Sequence, residues 1–359
     1  MYRQQLRRSG RSRGFTLVEL MVALAIGMLM SFGLVRVFAN SSETYQALSQ
    51  TAEQIENGRY AIQAISDDLR LAGFYGEYAF APAAGAAPPD PCTLDPATMR
   101  AARGFYVQAW NNVAVSPVTC IDDADIVPGT DVLVVRRANT SLPVGGLVAS
   151  EVYLQANSDP ADPVNPIIAL GSGAFTLLKK DGVTAALRKY HVHIYFVSPC
   201  SVPSGSVNCT AAADGGRPIP TLKRLSIAAN AAGTALVRSV EAVAEGIEAL
   251  QIDYGVDTDG DGMSDGAGLA DVAGVRKNGY LAAPAAVPDW SNVMSAQVYA
   301  LARTLEQTVG LADTKTYNLG TFGVVTPGVT PGVAAGRFRR HVFTSHVRLV
   351  NPAGRREAP

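Results

Sequence analysis

The N-terminal stretch constrains this chain more than any other. Arg3, Arg7, Arg8, Arg11 and Arg13 come first, with no acidic residue among them. Gly14-Phe15-Thr16-Leu17-Val18-Glu19 then opens an apolar run, and Leu20 to Val35 carry no formal charge before Arg36. A bilayer core needs about 20 apolar residues in a helix. Phe15 to Val18 lengthen the run, and Arg36 can snorkel to the interface. The arginines read as the cytoplasmic flank of a membrane segment. A carboxylate inside such a segment is costly without a partner, which marks Glu19 as functional by position alone. An ordinary secretory signal has a neutral core and a small-residue exit site. With Glu19 just inside the run, the apolar segment is expected to be kept rather than removed whole.

The helical pattern continues past the membrane segment. Leu48, Ile55, Ile62 and Leu69 recur every seven residues, with Tyr45, Ala52 and Ile65 alongside. Gln46, Glu53, Glu56, Arg59, Asp67 and Asp68 fill the other positions, leaving one apolar stripe. The spacing predicts a single helix from Phe15 to Leu71, closed by Gly73 as a glycine C-cap. At 1.5 Å per residue it would be on the order of 85 Å long. Gly27 and Gly33 weaken it locally. No single domain buries so long a helix, so lipid or other subunits must cover its first half. The sustained charge pairing of a coiled-coil seam is missing, and a sheet of the same chain is the better cover for the second half.

Residues 79–104, with Pro82, Pro88, Pro89, Pro91 and Pro96, read as a loop leading off the helix. Strand-like runs follow. Val132 to Arg137 comes after the turn Pro128-Gly129-Thr130. Tyr190, Val192, Ile194 and Phe196 alternate with His191, His193, Tyr195 and Val197. Further runs are Leu222–Ala228, Ile247–Val256, Gln297–Thr304 and Phe338–Val350. Many strands after one long helix, with no helical pattern between them, predict an antiparallel sheet and an α+β fold. The connections at 139–170, 199–220 and 305–336 read as long irregular segments suited to partner surfaces.

Gly14-Phe15-Thr16-Leu17-Val18-Glu19 resembles the type III signal of type IV pilins and type II secretion pseudopilins. The resemblance implies that a prepilin peptidase cuts after Gly14 and methylates Phe15. Residues 1–14 are then a leader, 15–37 the membrane half of the helix, 38–73 its amphipathic periplasmic half, and 74–359 a β-rich periplasmic domain. Other stretches resemble the PilW family of minor pilins: Gly129-Thr130-Asp131-Val132-Leu133, Tyr254-Gly255-Val256-Asp257, Trp290 with Asn292 and Val293, Arg303, Arg339-Arg340-His341-Val342-Phe343, and Leu349-Val350-Asn351. That resemblance implies a pilin-like fold and a minor pilin of a type IV pilus. Such a chain is held in the inner membrane by a single span and then carried into the extracellular filament, at or near its tip, to prime assembly and support motility or adhesion. Its implied partners are the prepilin peptidase, the major and other minor pilins, and a large tip adhesin. A minor pseudopilin of type II secretion is the alternative within the class. A membrane-anchored periplasmic enzyme is the alternative outside it.

The formal net charge of −1 hides an asymmetry: without the five leader arginines, 25 of the 30 basic residues face 31 acidic ones, a net of −6. An acidic body is a poor nucleic-acid surface, which needs a basic face. Cys92, Cys120, Cys200 and Cys209 all follow the apolar segment, and an even count in an exported chain predicts two disulfides. Three pairings are possible, and the short separations favour Cys92–Cys120 with Cys200–Cys209. Asp257-Thr258-Asp259-Gly260-Asp261-Gly262 has the Asp-x-Asp-x-Asp-Gly spacing of a calcium loop. Asp257, Asp259, Asp261 and Asp265 are the candidate ligands, although the twelfth position, where an EF-hand has its bidentate glutamate, is Gly268. The competing reading is a solvated Asp/Gly turn. His191 and His193 are expected on the solvated face of their strand, and Asp67-Asp68 and Arg136-Arg137 as surface charges. No Gly-x-Ser-x-Gly elbow and no phosphate-binding P-loop occurs, so work by packing and recognition is expected rather than catalysis.

Overall fold

The computed structural model describes residues 14–78, 87–159, 161–202, 209–257, 259–265, 280–281, 290–308 and 310–356. The arginine-rich leader before Gly14, Pro82, Thr258 and Gly268 lie outside the described residues. The fold is α+β, and it divides into two compact units, Met1–Gln50 and Thr51–Pro359.

Helix α1 (Leu17–Leu71) runs through both units. In the first it is apolar and exposed, and it is the helix long and apolar enough to cross a membrane among the described residues. In the second, burial begins at Gln54 and continues through Gly58, Ala61, Ile62, Ile65 and Leu69. The heptad stripe is therefore divided: Leu48 and Ile55 are exposed, whereas Ile62 and Leu69 enter the core. Each fully buried aliphatic side chain of this kind stabilises the fold by about 1.5–3 kcal/mol relative to exposure. The helix ends as the sequence predicts. Gly73 takes a left-handed φ of +69°, which glycine adopts without the steric cost other residues meet.

After α1 come α2 (Pro96–Ala101), β1 (Val107–Val113), β2 (Thr130–Ala138), β3 (Val152–Gln155), β4 (Ile167–Leu170) and β5 (Leu187–Ser198). A short turn α3 (Ala213–Gly216) leads to β6 (Thr221–Ala229), β7 (Leu236–Glu245), β8 (Ile247–Val256) and β9 (Val293–Arg303). The chain closes with β10 (Tyr317–Asn318), β11 (Val324–Val325), β12 (Arg340–Arg348) and α4 (Val350–Arg356). A seven-stranded sheet has the order β1-β2-β5-β3-β4, with β6 also on β5 and β7 on β6. A three-stranded sheet has the order β12-β9-β8. All the pairings are antiparallel.

Several segments differ from the sequence expectation. The proline-rich stretch contains α2, because Asp95 caps its first turn by accepting from the Ala97 and Thr98 amides at 3.2 and 2.9 Å, and Pro96 suits a first helical position. The 139–170 connection contains β3 and β4, each only four residues long, too short to show an alternation. Strands β1 and β7 were not expected either. Polar residues interrupt the alternation in both, with Asn111 and Asn112 in one and Arg238, Ser239 and Glu241 in the other.

Helix α1 is fastened to both sheets by polar contacts as well as packing. Gln54 Nε2 donates to the Ala302 carbonyl at 2.8 Å and to that of Arg339 at 3.1 Å. Ser66 Oγ donates to Ser345 Oγ at 3.0 Å. Gly58 permits the closest approach, since a β-carbon there would overlap the Phe343 ring.

Asp131 joins the two sheets. Its carboxylate accepts from the Asn112 amide at 2.9 Å and from the Ile252 amide on β8 at 2.8 Å. Burial outweighs those two donors, and with the nearby Asp253 it pushes the Asp131 carboxyl up to about 8. The folded value lies above the unfolded one, about 4, so this contribution to stability is full in acid and declines as pH rises from there towards 8. A fragment of residues 51–359 is therefore expected to melt at a lower temperature at pH 8 than at pH 5, with the difference reduced in Asp131→Asn. An equal difference in the variant would rule Asp131 out as its source.

Candidate functional site: the helix start and the aspartate loop

Thr16 stands at the N-cap of α1, its carbonyl accepting from the Leu20 amide at 3.1 Å. The Thr16 amide and hydroxyl both donate to Glu19 Oε2 at 2.9 Å, and the Glu19 amide donates back to Thr16 Oγ1 at 3.2 Å. This is a capping box, in which the third helical residue and the cap satisfy each other's orphan groups. In the sequence, position alone marked Glu19 as functional, and the Thr-x-x-Glu signature of this box was there to be read as well. The Gly14–Phe15 peptide bond lies just before the helix, and Phe15 is 89% exposed. The bond thus lies outside the helical hydrogen bonding.

The second site follows β8. Asp257 is fully buried and accepts from the Gly260 amide at 2.7 Å and the Gly262 amide at 3.0 Å. Positive φ values of 87° and 82° at Gly260 and Gly262 let the loop fold back over that carboxylate. The loop closes where the Asp265 amide donates to the Val256 carbonyl at 2.8 Å. Carboxylate oxygens of Asp257, Asp259 and Asp265 lie within 4.8 Å of one another. Asp261 stands outside that group and accepts from the Met263 amide at 2.8 Å. Three convergent carboxylates suit a hard cation in kind, but calcium takes six to eight oxygens. One positive charge is already supplied, by Arg356 of α4, whose Nη1 sits 2.9 Å from Asp257 Oδ2. The loop and the C-terminal helix are thereby linked.

Both disulfides are formed, Cys92–Cys120 and Cys200–Cys209, with Cα separations of 5.6 and 5.7 Å.

Two family models match the chain. Residues 9–35 match the prokaryotic N-terminal methylation motif, a span that holds Gly14, Phe15, Thr16 and Glu19. Residues 207–351 match the family described as Type IV Pilus-assembly protein W, a span that runs from β6 through β12. The two matches together support a PilW-like type IV pilin. No curated protein and no solved structure matches it. A pilin is a structural component of a pilus, and the family and the motif together imply encounters with a prepilin peptidase and with other pilins. The apolar first half of α1 is consistent with an anchor in the inner membrane.

Buried charges correct two sequence expectations. His193 faces α1 rather than solvent, its Nδ1 2.5 Å from Asp68 Oδ2. Asp68 also accepts from Tyr195 Oη at 2.5 Å and from Arg137 Nε at 2.8 Å, so it is a buried hub and not a surface charge. Burial alone would raise the Asp68 carboxyl; His193, Arg137 and Tyr195 outweigh it and hold the group well below the usual carboxylate range. Burial, reinforced by His193 and Arg137, pushes the neighbouring His191 imidazole down to about 3. Arg136 is fully buried and donates to the Phe105 carbonyl at 3.1 Å and to Gln108 Oε1 at 2.8 Å. The opposite face of β5 is the more apolar, as expected, but both faces are covered. Alternation shows which side chains share a face; it does not show that α1 would lie across the polar one.

Proposed function

We propose that this chain is a minor pilin of a type IV pilus, anchored in the inner membrane before assembly and incorporated at or near the filament tip. There it would prime assembly and support motility or adhesion, with the major pilin, other minor pilins and a large tip adhesin as partners. One observation carries the reading: an exposed apolar helix start with a single carboxylate, set directly behind an accessible Gly14–Phe15 bond inside a methylation-motif match. Cleavage there keeps the helix and discards the arginines. Mass spectrometry of the protein recovered from sheared pili is expected to give an N-terminus at methylated Phe15. Recovery of the Met1 terminus in filaments would overturn the processing step. Deletion of the gene is expected to reduce surface pili and twitching, whereas loss of protein secretion with pili intact would favour a minor pseudopilin.

The cluster of three carboxylates favours a second property, a divalent cation held by Asp257, Asp259 and Asp265. A ligand that binds only the folded state stabilises it by about 2.7 kcal/mol at a hundredfold over its dissociation constant. Calcium is therefore expected to raise the melting temperature of the 51–359 fragment, and Asp259→Ala to remove that rise. Equal melting of the parent in calcium and in chelator leaves the loop as a turn held by Arg356.

A further inference from the structure

The geometry points to the outer edge of β7 as a docking site for an extended polypeptide strand, apolar at alternate residues and basic at its flanks. Among the described residues β7 pairs with β6 alone. It is ten residues long, and Arg238, Ser239, Glu241 and Ala242 are exposed on it. Strand β8 is equally long at an edge of its own sheet but is buried throughout. An exposed edge presents a row of free amides and carbonyls that another strand can complete. No proline or lysine guards this one.

A cleft of about 640 Å³ runs beside the edge. Its floor is apolar, formed by Phe196, Leu225, Leu236 and Val240. The floor residues Leu225 and Val240 face each other across the β6–β7 ladder, Leu236 and Arg238 share that face, and Val237 and Ser239 complete the lining from β7. Its other wall is the segment Thr119–Asp122, held by the Cys92–Cys120 bridge. Arg238 Nε donates to the Cys92 carbonyl at 2.8 Å and turns its charge into that wall. Beside Arg238, the exposed charges next to the cleft are the carboxylates of Asp122 and Asp90. Asp122 lines the cleft and is exposed, and the exposed Asp90 accepts from Thr119 Oγ1 at 3.3 Å. A strand added to β7 would set every second side chain beside Leu236 and Val240 on the cleft face, and its basic flanks would meet these carboxylates.

The test uses the full-length chain in lipid nanodiscs and a fluorescent, end-capped probe peptide, Lys-Val-Thr-Val-Lys-Val-Thr-Val-Lys. Two control peptides carry glutamate for lysine, or N-methyl groups on alternate amides. The lysine peptide is expected to slow hydrogen exchange of the amides in 236–245 at least tenfold at saturation, and neither control should. Val240→Asp is expected to weaken binding, read by fluorescence anisotropy, at least tenfold. The proposal is overturned if exchange in 236–245 is unchanged, if either control slows it equally, or if Val240→Asp binds like the parent. Should that variant fail to fold, the N-methyl comparison on the parent decides the matter.

Discussion

Glu248→Ala is expected to destabilise the 51–359 unit by about 3–5 kcal/mol, the cost of breaking a buried ion pair by removing one partner. Glu248 is fully buried on β8. Arg340 donates to it through Nε at 2.6 Å and Nη2 at 3.2 Å, and Arg303 through Nη1 at 3.1 Å. The Phe338 ring lies 3.8 Å from the Arg303 guanidinium carbon. Asp313 binds the remaining Arg340 nitrogen at 2.9 Å and would stay behind as its partner. Among the described residues Arg303 has no second carboxylate of this kind, so alanine strands its charge in the interior, where desolvation is severe. The loss is a large share of a typical stability of about 5–15 kcal/mol. Thermal unfolding of the fragment measures it, with a fall in melting temperature on the order of 10 °C expected. A change under about 1 kcal/mol would show that the two arginines find water.

Glu19→Gln is expected to be inserted and cleaved normally yet recovered poorly from sheared pili. Two roles compete for this carboxylate, and the substitution separates them. Glutamine serves at the third position of a capping box as glutamate does, so the local bonds to Thr16 persist. What glutamine removes is the charge. After cleavage the new amine of Phe15 is positive, and in a filament an equivalent amine on a neighbouring subunit would approach Glu19. An ion pair formed away from water offsets the cost of burying each charge and fixes the axial register. Glu19→Ala loses both roles and serves as the lower bound. If Glu19→Gln enters pili as well as the parent while Glu19→Ala does not, the residue acts as a helix cap and the docking charge lies elsewhere.

What could be read in advance follows the physical character of each signal. The long helix, its glycine stop and most long strands rest on periodicities of 3.6 and 2, which are local, and the structure has them. The hub at Asp68 and the cluster at Glu248 rest on which faces meet, and that is decided by residues far apart in the chain, 125 between Asp68 and His193 and 92 between Glu248 and Arg340. Ile247–Val256 was legible as a strand because seven of its residues are apolar or glycine. Its three acidic or amide side chains then had to find partners: Glu248 the two arginines, Gln251 the Asn112 side chain and the Gly129 carbonyl, and Asp253 the Thr321 amide and hydroxyl. A polar residue in a fully buried strand was the available clue to a buried partner, although not to its identity. The aspartate loop shows the converse limit, since its spacing named four ligands and the backbone brought three together.

The last element bears on the order of synthesis. Asn351 Nδ2 donates to the Arg70 and Ala72 carbonyls, and Arg355 Nη2 to that of Gly73, so α4 closes the carbonyl end of α1. Carbonyls at a helix terminus lack partners within the helix, and here they wait for residues made nearly three hundred positions later. Strand β12, against which α1 lies, arrives only just before them. A nascent chain thus holds an unfinished helix end until those residues have been made. Termination between β9 and β12 would leave the second sheet open at β9 and the carbonyl end of α1 without these donors.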